Sequence, residues 1–390
     1  MDLRARWEST LAHTYGTPSL LLERGEGVHV WDDHGKRYLD FIAGLAVSST
    51  GHAHPRVVAA VREQAGKLFH VSNLYATENV LHLAERLTEL TGFNKAFFCN
   101  SGAEANELAL KTVRRHAHAM GKPESVVIAL ENSFHGRTTA TVALTGQPKY
   151  QKDFGPFPGG IVHVPANDAV ALEVAFASHA VSGVFLEFVQ GEGGVLPLRP
   201  DFVAAAACLC RENDAFLVAD EVQTGVARTG RFLASEWYGV KPDITTLAKG
   251  LASGVPIGAV VFNERAASLL HPGDHGCTFG GNPLSAAAAL ATLDVIEDEG
   301  LGYNAWEMGG RLRVGAMERI PGVSEVRGLG LLNGIVLDEP IAKRVKADAE
   351  AAGLLVNAIG EHVLRLAPPL IVNAEQVDEA MSLLAKAVER

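Results

Sequence analysis

From about residue 95 onward, short apolar runs of strand-forming residues alternate with stretches whose apolar residues recur at helical spacing. Strands joined through helices run parallel, and parallel sheets are buried on both faces. The alternation therefore predicts an α/β fold with a mainly parallel central sheet covered by helices. The runs are 96–99, 126–130, 184–186, 216–219, 244–247 and 259–262, and the clearest helical stretches are 104–120, 169–179 and 202–213.

The two ends of the chain follow another pattern. Residues 28–39 resemble a hairpin with its turn at Asp33-His34-Gly35. After Pro283 a long helical segment leads into the apolar runs 327–337 and 364–371, which indicates a smaller α+β unit.

Composition excludes several classes of protein. The chain has 390 residues, of which 47% are hydrophobic, enough for a sizeable core and two domains. A net charge of −11 argues against a general surface for nucleic acid or anionic membrane. The N-terminus lacks an apolar segment of the signal-peptide kind, and the alanine-rich stretch 286–291 is too short to span a bilayer.

The cysteines indicate the compartment. Cys99, Cys208, Cys210 and Cys277 are few and irregularly spaced, which favours a reducing environment over a disulfide framework. Cys208 and Cys210 form a C-x-C pair, but core packing is the better interpretation in an alanine-rich helix. We expect a soluble, cytoplasmic protein.

Two residues at strand ends suggest a specific cofactor. Asp220 closes the run 216–219 and Lys249 follows the run 244–247. A lysine amine can hold the aldehyde of pyridoxal phosphate as a Schiff base, and a buried carboxylate can keep the pyridine nitrogen protonated. A lysine after a strand is more often a solvated charge. A Mg²⁺ site on Asp220-Glu221 is the alternative, but no Walker-type phosphate loop accompanies it.

Further polar motifs follow other strands, where ligands of open α/β sheets bind. In Ser101-Gly102-Ala103 a glycine and a new helix N-terminus would suit a phosphate. Ser101 and Glu104 also have the spacing of a capping box, and both interpretations can hold together.

The next motifs bring aromatic, cationic and acidic groups to the same edge. Phe134 could cover a ring and Arg137 could grip a carboxylate, although separately they would more often be a core residue and a surface charge. Glu187 and Glu192 lie close together, and Gln223 can reach a ring hydroxyl. His52 and His54 lack partners at ligand spacing, so we expect no metal.

Read in order, seven strings resemble the class III aminotransferases, which are fold type I pyridoxal-phosphate enzymes. The resemblance covers nearly the whole chain and implies a large cofactor-binding domain at 56–283, with 1–55 and 284–390 forming one small domain. The strings are SGAEANE, FHGR, QGEGG, DEVQTG, TLAKG, HGCTFGGNP and RLAPPL.

The resemblance also implies residue roles at the cofactor. Lys249 would bind it covalently and then act as general base and acid, and Asp220 would pair with the ring nitrogen. Gln223 would contact the ring oxygen, Phe134 would cover a ring face, and the 101–103 segment would hold the phosphate. Thr278 would bind the phosphate of the neighbouring subunit's cofactor, which makes a homodimer the minimal active unit.

At the substrate, the resemblance implies two arginines. Arg137 would bind the distal carboxylate of the amine donor and the side-chain carboxylate of glutamate, and Arg365 would bind the α-carboxylate of glutamate. Glu192 would neutralise Arg365 while the amine is bound, and Tyr15 and Glu187 would lie near the substrate.

Within the class, the segment WDDHGKRYLDFIAGLAV with GHAHP and SNLYATE reads like the subgroup that moves the terminal amine of N2-acetylornithine to 2-oxoglutarate, in arginine biosynthesis. Leu45 stands where members acting on free ornithine typically carry tyrosine, which favours an acylated donor. Ornithine, 4-aminobutyrate, succinylornithine and a carrier-linked lysine stay open as donors, as does a pyridoxal-phosphate aminomutase. A non-catalytic cofactor-binding or regulatory protein is disfavoured by the complete set of roles.

Three positions depart from the pattern of the class. Phe188 replaces a proline, Val226-Ala227 replace Met-Gly, and Cys277 replaces serine or threonine. None of them carries an assigned chemical role.

Overall fold

The computed structural model describes residues 3–390; Met1 and Asp2, which belong to the predicted N-terminal segment, lie outside the described residues. Its helices are α1 (Leu3–Thr10), α2 (Ala43–Ala46), α3 (Pro55–Ala65), α4 (Glu78–Thr91), α5 (Gly102–Ala119), α6 (Thr139–Leu144), α7 (Pro148–Gln151), α8 (Ala169–Ser178), α9 (Pro200–Glu212), α10 (Glu264–Ala267), α11 (Pro283–Asp298), α12 (Leu301–Arg319), α13 (Ala342–Ala351) and α14 (Ala374–Glu389). Short 3₁₀ helices cover Ala234–Tyr238 and Lys249–Ala252.

The strands follow the predicted alternation closely. They are β1 (Leu22–Glu26), β2 (His29–Asp32), β3 (Arg37–Asp40), β4 (Lys95–Cys99), β5 (Val126–Leu130), β6 (Ile161–Val164), β7 (Val181–Leu186), β8 (Val189–Gln190), β9 (Leu196–Pro197), β10 (Phe216–Asp220), β11 (Ile244–Leu247), β12 (Gly258–Phe262), β13 (Val323–Leu329), β14 (Leu332–Leu337), β15 (Leu354–Leu355), β16 (Asn357–Ile359) and β17 (Val363–Leu366).

The main sheet has the order β4-β12-β11-β10-β7-β5-β6 among the described residues. Five neighbouring strands, from β11 to β6, run parallel, whereas β12 is antiparallel to both of its neighbours. The predicted mainly parallel sheet is therefore confirmed. The sequence pattern did not indicate β1, β6 or the short strands β8, β9, β15 and β16.

Helices cover this sheet on both faces, as the continuously apolar strands predict. Along β10 the buried residues Phe216 and Val218 pack in the cluster that holds Leu108 of α5. Their neighbours Leu217 and Ala219 belong to the opposite cluster, with Phe202 of α9. Period-two side-chain direction thus places the core on two sides of one strand.

The ends of the chain meet in a smaller sheet. β1, β2 and β3 form the predicted antiparallel hairpin and its extension, and β15 from the C-terminal part pairs in parallel with β3. A second sheet, β13-β14-β17-β16, carries Arg365 on β17. The bounds 1–55, 56–283 and 284–390 remain predictions. Within residues 3–390, no helix is both long and apolar enough to cross a membrane.

Candidate active site

The carboxyl ends of the parallel strands open into a cavity of about 410 Å³, here called the central cavity. Loops that follow β4, β5, β7, β10 and β11 all contribute side chains to it, as expected for an open α/β sheet. The sequence-predicted residues that line it are Ser101, Gly102, Ala103, Phe134, Arg137, Glu187, Glu192, Asp220, Gln223 and Lys249.

Asp220 ends the fully buried strand β10, and its carboxylate is held by donors from three other segments. His135 Nδ1 and Asn106 Nδ2 each lie 2.7 Å from Oδ2, and the backbone N–H of Val222 donates to Oδ1 at 3.1 Å. Burial opposes charge on His135, but the bond to Asp220 prevails and raises its pKa. The carboxylate is therefore fixed in one orientation toward the cavity.

Lys249 follows β11 in a strained backbone conformation, with φ near 41°. Within residues 3–390 its amine makes no hydrogen bond or ion pair, so it is free to react in the cavity. Burial and the charge of Arg365 lower its pKa to about 8, against the opposing charges of Glu192, Asp220 and Glu187. A larger share of the amine is thus neutral, and nucleophilic, at neutral pH than in an ordinary lysine.

The N-terminus of α5 faces the same cavity. Ser101 caps the helix by accepting from the N–H of Glu104 at 3.2 Å. The reciprocal half of the predicted capping box is absent, because Glu104 accepts instead from the N–H of Asn100. A side chain at Gly102 would meet Val222 at 2.7 Å, so glycine lets helix and loop pack closely here. The N–H groups at this helix end suit an anion.

Glu187 is a buried acid beside this network. It accepts a hydrogen bond from the backbone N–H of Phe134 at 2.8 Å. This bond orients the loop that carries the aromatic ring of Phe134. Burial raises its pKa to about 7, with the charge of His135 opposing and that of Asp220 adding to the shift. Glu187 therefore exists partly in the protonated form near neutral pH.

Arg365 does not itself line the central cavity, but it forms an ion pair with Glu192, which does. Their side chains approach to 2.5 Å, with Arg365 4% and Glu192 24% exposed. Arg365 comes from β17 and Glu192 from the glycine-rich turn after β8, so two sheets supply the pair. The charge of Arg365 is therefore compensated by Glu192 in the absence of substrate.

Arg137, unlike Arg365, has no acidic partner among residues 3–390. It is exposed, and among the described residues it makes no ion pair or hydrogen bond; instead its guanidinium lies over the ring of Tyr150, 3.8 Å from the centroid. It lines a second space of about 630 Å³, here called the outer chamber, which adjoins the central cavity through Phe134, Glu192 and Lys249. Other walls of the chamber are Tyr15, Leu45, Tyr150, Phe154 and Phe157.

Thr278 stands apart from this arrangement. It is exposed on the loop before α11 and does not line the central cavity. Its role toward a neighbouring subunit stays a prediction.

The groups present fit pyridoxal phosphate. Lys249 offers a free amine, Asp220 a fixed carboxylate, and the N-terminus of α5 an anion site. Gln223 supplies a further sign, since its buried Oε1 has no hydrogen-bond partner among residues 3–390. A buried polar atom without a partner that lines a cavity is suited to a ligand. In the same part of the chain no cluster of His, Cys, Asp or Glu is arranged for a metal.

The departures from the class pattern are accommodated in the fold. Phe188 is fully buried and stacks on Tyr238 with ring centroids 5.0 Å apart. Val226 and Ala227 are buried in left-handed conformations, with φ of 55° and 67°. Cys277 accepts a hydrogen bond from Asn100 Nδ2 at 3.1 Å.

Three residues of this site were not predicted from the sequence. His135 lies in the FHGR string between Phe134 and Arg137, Asn106 lies one turn into α5, and Tyr150 lies on α7. The signal for His135 was its place in that string; Asn106 carried only the weak signal of an amide on an apolar helix. No pattern in the sequence marked Tyr150.

Comparisons with known proteins agree with the resemblance of the sequence motifs. The sequence profile of the family described as aminotransferase class-III matches residues 10–388. The acetylornithine aminotransferase of Gloeobacter violaceus is 49% identical over 389 residues, covering 98% of this chain and 97% of that protein. The enzyme of the same name from Streptomyces coelicolor is also 49% identical, covering 98% and 94%.

Solved structures agree in fold. An ornithine aminotransferase from Toxoplasma gondii, with pyridoxal phosphate at partial occupancy in its active site, superposes with a TM-score of 0.95 at 35% identity, covering 99% of this chain and 93% of that one. The N-acetylornithine aminotransferase of Stenotrophomonas maltophilia gives 0.86 at 38% identity, covering 99% and 98%.

Proposed function

The chain belongs to the class-III aminotransferases, and on that premise we propose that it transfers the terminal amino group of N2-acetylornithine to 2-oxoglutarate. The products are N-acetylglutamate 5-semialdehyde and glutamate, a step of arginine biosynthesis. The observation that carries the proposal is a single cavity in which a free amine, Lys249, shares its walls with the fixed carboxylate of Asp220.

Pyridoxal phosphate is the cofactor of this class. When bound, it supplies an aldehyde that captures amines and a ring that accepts electron density from the reacting carbon. Gly102 and Ala103 would hold its phosphate through backbone N–H groups at the start of α5, with Ser101 beside them. Phe134 would cover a ring face and Gln223 Oε1 would receive the ring hydroxyl.

Lys249 would bind the cofactor covalently and would then act as general base and acid. Its Nζ would take a proton from the carbon that bears the substrate's amine and would later give a proton back. Because its pKa is lowered to about 8, the amine both accepts and gives up a proton readily near neutral pH. One residue could perform both proton transfers because its place in the chain keeps the amine in the central cavity.

Asp220 would hold the proton at the ring nitrogen. His135 and Asn106 donate to its carboxylate, so the carboxylate keeps its orientation without reorganisation. These two residues act through Asp220 and are positioning residues.

Two arginines in different states explain how one site serves two substrates. Arg137 has no anionic partner among the described residues, so the α-carboxylate of acetylornithine binds it without displacing a group. Arg365 is paired with Glu192, and this pair stays closed while the amine donor is bound. Glu192 swings away when glutamate or 2-oxoglutarate brings its own carboxylate to Arg365.

The outer chamber supports an acylated donor. Leu45 and Tyr15 lie in its wall with Phe154 and Phe157, an apolar surface against which an acetamido group packs without a charged partner. A free α-ammonium group would lack a carboxylate there, apart from Glu192, which serves Arg365.

We propose that the active unit is a homodimer, in which Thr278 of one subunit would hold the phosphate of the other subunit's cofactor. The exposure of Thr278 and of the neighbouring Phe279, which is 60% exposed, supports a covered position in the assembly. We place the enzyme in the cytoplasm, as its four free cysteines favour a reducing compartment.

A coupled assay tests the proposed donor. The purified holoenzyme is given 2-oxoglutarate with acetylornithine, ornithine, 4-aminobutyrate, succinylornithine or a carrier-linked lysine, and glutamate formation is followed. We expect the highest kcat/KM for acetylornithine. A higher value for any other amine, or turnover without a keto acid as in an aminomutase, contradicts the proposal.

A further inference from the structure

Tyr150 lies in the outer chamber and has no role in the scheme above. Its ring centroid lies 3.8 Å from Cζ of Arg137 and 4.7 Å from Nζ of Lys149. The ring of Phe134 meets it edge-on, with centroids 5.7 Å apart and planes at 85°. One aromatic ring therefore contacts both a cation of the substrate pocket and the aromatic residue predicted to cover the cofactor.

The position of Tyr150 is fixed from both ends of its short helix α7. Before it, Gln147 Nε2 donates to the carbonyl oxygens of Asn132 and Ser133 at 3.2 and 3.1 Å. After it, Gln151 Nε2 donates to those of Val142 and Thr145 at 3.1 and 2.9 Å. The bonds from Gln147 tie the start of α7 to the loop that carries Phe134 and Arg137, and those from Gln151 tie its end to α6, so the ring and the guanidinium belong to one cross-linked segment.

The charge state of Arg137 explains why such a ring matters. An exposed arginine commonly pairs with a carboxylate, but none lies within ion-pair distance of Arg137 among residues 3–390. A ring face attracts a guanidinium and uses none of its N–H donors when the two planes stack. Those donors lie in the plane of the group, so an aromatic contact holds the cation in place and leaves the donors open to a carboxylate.

We propose that Tyr150 is a positioning residue that holds Arg137 unpaired and aligned for the substrate carboxylate, and so sets the preference for carboxylated amines. The identity of the test amine rests on the proposed function; the contact with Arg137 does not. Lys149 adds positive charge at the same ring and increases the attraction for an anion.

The kinetic test compares two substrates and three variants of the holoenzyme. N-acetylputrescine is acetylornithine without its α-carboxylate. We expect Tyr150→Leu to raise KM for acetylornithine roughly three- to tenfold, as suits one cation–π contact, with kcat within about twofold. The efficiency with N-acetylputrescine should stay within about twofold. Tyr150→Phe keeps the ring and should behave like wild type, as should the matched control Tyr303→Leu, at a tyrosine on α12 that is 72% exposed.

A double-mutant cycle shows whether Tyr150 acts through Arg137. In an Arg137→Met background, adding Tyr150→Leu should cost less than about twofold, because the partner is already gone. Equal losses with both substrates, a Phe variant as poor as the Leu variant, or full additivity in the cycle would each overturn the inference. Thermal unfolding and cofactor content of each variant identify losses that come from misfolding.

Binding of glutarate separates this inference from the proposed function. If wild-type enzyme does not turn over acetylornithine, the proposed donor is wrong, and calorimetry with glutarate still reports on the carboxylate site. A dissociation constant raised about three- to tenfold in Tyr150→Leu and unchanged in Tyr150→Phe supports the role of Tyr150. An unchanged constant in both variants refutes it.

Discussion

Replacement of Arg365 by lysine is the sharpest test of how the two substrates share the site. The side chain is 4% exposed, so its bonds to a carboxylate form out of water. A planar guanidinium makes two charge-assisted bonds to a carboxylate, and a lysine in its place makes one. A bond to a charged group contributes about 1.5–3 kcal/mol. Loss of about 2 kcal/mol corresponds to roughly thirtyfold in rate.

The loss should fall on one half-reaction. Stopped-flow absorbance of the cofactor follows the amine and keto-acid halves separately. We expect Arg365→Lys to slow the reaction with 2-oxoglutarate about thirtyfold and the reaction with the amine donor less than about threefold, because the donor's carboxylate binds elsewhere. Arg137→Lys should impair both halves, because Arg137 is predicted to bind the side-chain carboxylate of glutamate as well as the carboxylate of the amine donor.

Glu192→Gln should slow the other half-reaction, the one with the amine donor. It leaves the buried charge of Arg365 uncompensated during the amine half-reaction, which we expect to slow by roughly tenfold. The keto-acid half-reaction loses a competitor for Arg365 and should slow by less than about twofold, or accelerate.

The matched control for Arg365→Lys is Arg199→Lys. Arg199 forms a bidentate pair with Asp201, and the two side chains are 59% and 65% exposed. Equal losses in both halves for Arg365→Lys refute the assignment.

Three more predictions concern the cofactor. Lys249→Ala should abolish borohydride-reducible attachment and turnover with little change in unfolding temperature; a retained covalent link would identify another lysine. Asp220→Asn should bind cofactor but lose several powers of ten in rate, each about 1.4 kcal/mol, because an amide cannot hold a proton on the ring nitrogen; near-normal turnover contradicts this. Attachment of cofactor to apoenzyme needs neutral Lys249, whose pKa is lowered to about 8, so its rate should rise about tenfold per pH unit below 8 and level off above. A rate still rising beyond pH 9.5 would show an ordinary lysine.

Local pattern was sufficient for the architecture and for the chemical centre. Alternating apolar runs and helical stretches predicted the parallel sheet because the period of side-chain burial is a property of a few neighbouring residues. Lys249 and Asp220 could be paired in advance because the carboxyl ends of parallel strands meet at one edge of the sheet. The cap at Ser101 was predictable for the same reason, since its partner Glu104 is three residues away.

Which groups surround these residues was decided by tertiary structure. Asn106 lies 114 positions from Asp220 in the chain and His135 lies 85 away, yet both donate to the same carboxylate oxygen. Each sits in a segment whose own pattern indicates only a helix or a loop. The order of strands in the sheet brings them together, and periodicity along the chain carries no information about that order.

In the outer chamber, too, the sequence determines the chemical groups and the tertiary structure determines their contacts. The sequence marked Arg137 as a cation able to bind a carboxylate, but the absence of an ion pair with any of residues 3–390 depends on what packs beside it. Tyr150 reaches it because Gln147 ties the start of α7 to the loop after β5 and Gln151 ties its end to α6. Those bonds end on backbone carbonyl oxygens, which every residue possesses. The sequence therefore determined the chemical groups available to this enzyme, and only the fold decided which of them meet.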